Sequence, residues 1–161
     1  MSGRRRNLGG AAGAGGCSTV DHDHAAWSAI LRRHVSAGVV DYAGLAAASG
    51  PTLGAYLATL SGTCRADYDT WTRAQQLAFW LNAYNAFTVR LILDNRPLAG
   101  IQEIGWLPNA AFRRRFIPMP ALRGGTITLD TIEHDIVRPG FREPRVHFAL
   151  VPQREVMAVA P

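Results

Sequence analysis

TWTRAQQLAFWLNAYNAFTVRLILDNRP, residues 70–97, decides the fold. Leu77, Trp80, Leu81, Tyr84, Phe87, Thr88, Leu91 and Ile92 recur at the spacing of one helical face. Ala78, Ala83, Ala86, Val89 and Leu93 make most of the remaining circumference apolar too. A helix apolar nearly all round is buried on every side. Thr72 with Gln75 three residues later is a capping-box pattern, and Pro97 lies just past the far end. The expectation is one buried helix over residues 73–95. Within it Asn82 and Asn85 stand at i and i+3. Asparagine is a poor helix former, and an unpartnered buried amide costs roughly 1–3 kcal/mol. Two of them imply hydrogen-bonding duties, either tying neighbouring loops to the helix or lining a site.

Upstream, Asp21 or Asp23 can cap a helix through Ala25, Trp27, Ile30, Leu31 and His34 that stops before Gly38. GVVDYAGL (38–45) reads as a short extended piece entering a second, alanine-rich helix. Pro51 suits the first turn of a third, through Leu53, Tyr56, Leu57 and Leu60 to Gly62. His22, His24 and His34 read as solvated or capping residues. Downstream, FRRRFIPMPALRGGTITL (112–129) suggests two short strands joined around Gly124-Gly125. Thr128 can cap a short helix in LDTIEHDIVR (129–138) that ends before Pro139-Gly140, with Arg138 suiting the helix dipole. Residues 145–151 close the chain's pattern as a strand. The fold class is α+β (mixed): a helical N-terminal half with a long buried central helix, followed by a small sheet.

Composition narrows the function classes. With 48% hydrophobic and 18% charged residues among 161, the chain is ordinary globular material for one domain. The net charge of +5 invites a nucleic-acid reading. All 17 basic residues are arginine, however, and they run together only at Arg4–Arg6 and Arg113–Arg115, a pattern that G+C-rich coding explains. No nucleic acid is expected as partner. No transmembrane segment is expected, because the longest apolar run, residues 77–93, is broken by Asn82, Asn85 and Arg90. Residues 1–20 read as a flexible leader or a weak export signal, with arginines, small apolar residues and then Cys17. The location is then either periplasmic or lipid-anchored through Cys17, or else cytoplasmic. Cys17 and Cys64 form neither a disulfide framework nor a metal-ligand spacing.

DHAAWSAILRRHV (23–35), GVVDYAGL, QQLAFWLNAYNAFTVRLIL (75–93), ITLDTIEHDIVR (127–138) and PRVHFALV (144–151) occur in an order and spacing that resemble the domain-of-unknown-function 547 family. The likeness covers roughly residues 22–151, and the Leu-Asn-Ala-Tyr-Asn and Ile-Glu-His motifs are its specific part. The resemblance implies a bacterial, often exported protein without an established activity. It makes Glu133, His134 and His147 the catalytic candidates, and Asn82, Tyr84, Asn85 and Arg145 the binding candidates. In relatives the His-Phe-Ala-Leu strand leads into a motif of the kind Cys-Ala-Ser-x-Ser-Cys-Pro-Pro. A cysteine near histidine, with asparagine or glutamate orienting the imidazole, would suit acyl transfer by a thiol.

This chain departs from that pattern at Val151. The expectation is therefore a partial domain over residues 21–151 with a divergent, out-of-frame tail at 152–161. Intact relatives would be cysteine-hydrolase-like and this chain inactive. The alternative is a non-catalytic binding or interaction module for a small molecule or peptide. No metal or cofactor is expected: Glu133 and His134 are adjacent, about 100° apart on a helix, and make poor joint ligands.

Overall fold

The computed structural model describes residues 16–96 and 110–141. The expected closing strand, residues 145–151, and the tail beyond lie outside these residues. The first helix, α1 (Ala25–His34), starts where Asp21 accepts hydrogen bonds from the amides of Asp23 (3.0 Å) and Ala25 (2.9 Å). Asp21, not Asp23, is thus the cap. Trp27, Ile30 and His34, spaced three and four apart, form its buried face. Two short strands follow, β1 (Val35–Ser36) and β2 (Val39–Val40), paired antiparallel. The turn between them holds Ala37 and Gly38 at φ 49° and 78°. Two central residues with positive φ are what a two-residue hairpin needs to match strand twist.

Asp41 caps α2 (Tyr42–Ser61), accepting from the Gly44 amide at 2.8 Å. A Cβ at Gly44 would meet that carboxylate, so a larger residue there would force the Asp41 cap to shift. The two helices expected on either side of Pro51 are one. Its buried residues, Tyr42, Leu45, Ser49, Leu53, Tyr56, Leu57 and Leu60, form an unbroken stripe across the proline. Pro51 removes one amide donor, and packing on both sides outweighs that loss.

After the short α3 (Arg65–Tyr68) comes α4 (Arg73–Asp94), the expected central helix. Its capping box is formed: the Thr72 hydroxyl accepts from the Gln75 amide and the Gln75 side chain accepts from the Thr72 amide at 2.9 Å. Phe79, Trp80, Ala83, Tyr84, Ala86, Phe87, Val89, Leu91 and Ile92 are all buried. Around its first turns Tyr68, Trp71, Phe79 and Trp80 pack edge to face, and the Trp80 indole donates to the Tyr68 hydroxyl at 2.8 Å.

Beyond α5 (Ala110–Arg113), β3 (Ile117–Met119) pairs antiparallel with β4 (Gly125–Ile127). The connection is one helical turn, α6 (Pro120–Arg123), stopped by Gly124 in the left-handed region at φ 74°. Thr128 caps the next element as expected, accepting from the Thr131 amide at 2.9 Å. That element is a π-helix over Thr131–Val137 that runs on as α7 (Arg138–Phe141) instead of stopping before Pro139-Gly140. Arg73, opening α4, donates to the Gly140 carbonyl (2.6 Å) and sits 5.2 Å from the Phe141 ring centre, clamping this end down.

The elements therefore pack in succession: α1 on α2, α2 on α4, and α4 on the π-helix, with two small antiparallel hairpins at the edges. This is a mixed α+β fold. Among the described residues no helix is long and apolar enough to cross a membrane.

Two further expectations need correction. Cys17 and Cys64 are joined in a disulfide. Sequence spacing could not show this, because the α2–α3 corner brings residue 64 back beside residue 17. Ser18 also donates to the Gly62 carbonyl at 2.9 Å there. His24 and His34 are not solvated but buried, each bonded to a hydroxyl on α2.

The disulfide closes a loop of 47 residues, which in the unfolded chain costs conformational freedom. Replacing both cysteines by serine is expected to lower the unfolding free energy by about 2–5 kcal/mol. Chemical denaturation of the two proteins checks it; an unchanged midpoint would mean that the bridge contributes nothing.

Candidate functional site

Tyr84 and Glu133 meet across the contact between α4 and the π-helix. Both are buried, and the Tyr84 hydroxyl stands 3.5 Å from the Glu133 carboxylate, a long hydrogen bond. The other Glu133 oxygen accepts from Arg138 Nη2 at 2.6 Å. The Glu133 side chain is only 9% exposed whereas that of Arg138 is 46% exposed. A carboxylate so far from water must be paired, and Arg138 neutralises it while keeping part of its guanidinium at the surface.

The π-helix makes this pair possible. On an α-helix, residues five apart point about 140° away from each other. Where the backbone bonds run from i to i+5, they lie nearly above one another. The Arg138 amide bonds back to the Glu133 carbonyl in just this pattern. The guanidinium is thereby brought over the carboxylate five residues earlier. Arg138 was assigned to the helix dipole alone from the sequence. Nothing in a helical wheel drawn at α spacing would have paired it with Glu133.

The other candidates are placed differently. His134 faces outward, exposed, with Nε2 3.5 Å from Asp130 Oδ1. It does not join Glu133. Asn82 lies about 160° around α4 from Tyr84, so the two look in opposite directions. Asn82 is half-buried and makes no side-chain hydrogen bond among the described residues. Asn85 is half-buried and engaged. Arg145 and His147 lie outside the described residues. Among the described residues no three His, Cys, Asp or Glu side chains converge to hold a metal ion.

A groove of about 630 Å³ lies elsewhere, between α2, α4 and β3. Leu57, Phe87, Phe116 and Pro118 line it, with the exposed Arg90–Asp94 ion pair at its rim. None of the candidate residues among those described lines it.

The model of one family, described as "Protein of unknown function, DUF547", matches residues 68–156, more than half of the chain. The chain belongs to this family. The matched segment holds α4 and the π-helix, hence Tyr84, Glu133 and Arg138 together; α1 and α2 precede it. Neither the curated proteins nor the solved structures give a match to the chain.

The Glu133–Arg138 pair is coupled, and one half of it is buried. Arg138→Met is expected to destabilise the fold by about 1–3 kcal/mol, chiefly by leaving the Glu133 carboxylate without its cation. Adding Glu133→Gln should recover part of that loss. A double-mutant cycle by denaturation measures the coupling, and strictly additive effects would show that the pair is not formed.

Proposed function

Because the chain belongs to a family whose matched segment carries Tyr84, Glu133 and Arg138, we propose that it is a non-catalytic binding module. Its recognition group is the half-exposed Arg138 guanidinium, set in place by Glu133 and Tyr84. The observation that carries this reading is the state of the reactive groups. Both cysteines of the chain are consumed in one disulfide, which leaves no thiolate for nucleophilic attack. Glu133 is neutralised by Arg138, and His134 turns away toward Asp130. A base and a nucleophile must lie within hydrogen-bond reach of each other, and these residues do not supply such a pair.

The ligand class follows from Arg138. One Nη of its planar fork is committed to Glu133, and the rest of the guanidinium can receive a carboxylate or another anionic group. A small acid or an acidic peptide is the fitting partner. The cysteine-hydrolase-like reading belongs to relatives that carry the cysteine motif. The disulfide further supports maturation in an oxidising compartment, hence export rather than residence in the cytoplasm. It also takes the Cys17 thiol away from lipid attachment.

Two measurements on the non-reduced chain test the proposal. With p-nitrophenyl acetate, no turnover sensitive to iodoacetamide is expected. With acetylated triglutamate, saturable shifts of the backbone amide resonances around residue 138 are expected, with affinity weakened at least tenfold in Arg138→Gln and also by added salt. Iodoacetamide-sensitive turnover, or equal binding by wild type and variant, would overturn it.

A further inference from the structure

Helix α1 is fastened to α2 at both of its ends by histidine. His24, just before α1, places Nδ1 2.8 Å from the Tyr56 hydroxyl; His34, its last residue, places Nε2 2.8 Å from the Ser49 hydroxyl. Both imidazoles are buried, at 4% and 6% exposure. Between them Trp27 stacks on Tyr56 with ring centres 6.0 Å apart and planes within 7° of parallel, and Ile30 is buried beside it.

His24 carries three further marks. Its backbone is in the left-handed region at φ 48°, which a non-glycine residue enters only when its surroundings hold it there. Its second nitrogen, Nε2, is buried without a hydrogen-bond partner. The nitrogen facing Tyr56 uses the only hydrogen bond it has in the described residues. If Tyr56 donates to Nδ1, a second proton there makes the hydroxyl turn to accept while the N–H on Nε2 stays unpaired; if Nδ1 donates, the second proton goes to Nε2, where no acceptor waits. Either route puts a cation into a buried place with a donor unpaired.

We propose that the α1–α2 contact is an acid-released clasp: two buried histidines hold α1 on α2, and protonation of His24 lets α1 leave while the rest of the fold stays. The groups that face His24 are Asp21, Asp23 and His22 on its own segment and Tyr56 on α2. Burial holds the imidazole below the ordinary histidine range, opposed by the carboxylates of Asp21 and Asp23. At the other end His34 meets the uncharged Ser49 hydroxyl. Release stays local because α1 is tethered twice, by the Cys17–Cys64 disulfide before it and by the β1–β2 hairpin after it. What it uncovers is the part of α2 around Tyr56, against which His24 and Trp27 pack.

The direction follows from proton linkage. The released state binds the proton more readily than the docked one, so docking is at full strength above about pH 6.5 and weakens as the pH falls below it. One proton per opening raises the opening constant by at most about tenfold per pH unit.

Amide hydrogen exchange on the full chain at pH 7.5 and pH 5.0, corrected for intrinsic rates, tests the clasp. Protection of residues 25–34 is expected to fall at least tenfold at pH 5.0 while that of α4 holds. Tyr56→Phe, which keeps the ring and removes the hydroxyl, should already expose α1 at pH 7.5. His24→Gln should flatten the pH response, and if it fails to fold, the wild-type pH series and Tyr56→Phe still decide. Unchanged α1 protection at pH 5.0, or its loss together with α4 in one global transition, would overturn the proposal.

Discussion

A helix that is apolar on nearly every side cannot rest at a surface, and α4 imposes that condition on everything else in the described fold. Each large side chain it withdraws from water is worth about 1.5–3 kcal/mol, a gain realised only if neighbours cover it from all directions. The cover comes from α2 on one side, the π-helix on another, the Tyr68–Trp71 aromatic group at its start, and Phe116 against Phe87 near its end. The capping box satisfies the orphan amides where the helix begins, and Asn95 closes it by donating from its side chain to the Leu91 carbonyl at 2.7 Å.

The site inherits its geometry from that core. Tyr84 is buried because α4 is, so its hydroxyl can reach only what the covering element offers. The π-helix offers Glu133, and the widened turn brings Arg138 back over the same carboxylate. Ion pair and tyrosine then form one polar island in an apolar contact, fixed by packing on the Tyr84 side and open to water on the Arg138 side. That asymmetry suits holding a ligand's charge better than transferring a proton.

Local signals were legible wherever one short stretch contains the whole cause. The α4 pattern, Thr72 with Gln75, the Thr128 cap and the strands around Gly124 each depend on neighbours a few residues away. What failed depends on distant partners. Pro51 looked like a helix start because the burial that carries α2 through it comes from α1 and α4. Cys17 and Cys64 looked unrelated because only the folded corner brings them together. His24 and His34 looked solvated because Tyr56 and Ser49 lie 32 and 15 residues further on. Glu133 and Tyr84 were named as candidates through motif likeness, but the Arg138 partnership follows from a helical register that α-helical periodicity does not encode.

If α4 is the element on which the others depend, its backbone should open only when the whole molecule does. Native-state hydrogen exchange of the amides from Phe79 to Ile92 tests this most directly. The opening free energies of these amides are expected to match the global unfolding free energy from denaturant titration, with α1 and the β1–β2 hairpin opening at lower cost. Exchange of the α4 amides through openings cheaper than global unfolding, while α2 stays protected, would contradict the account.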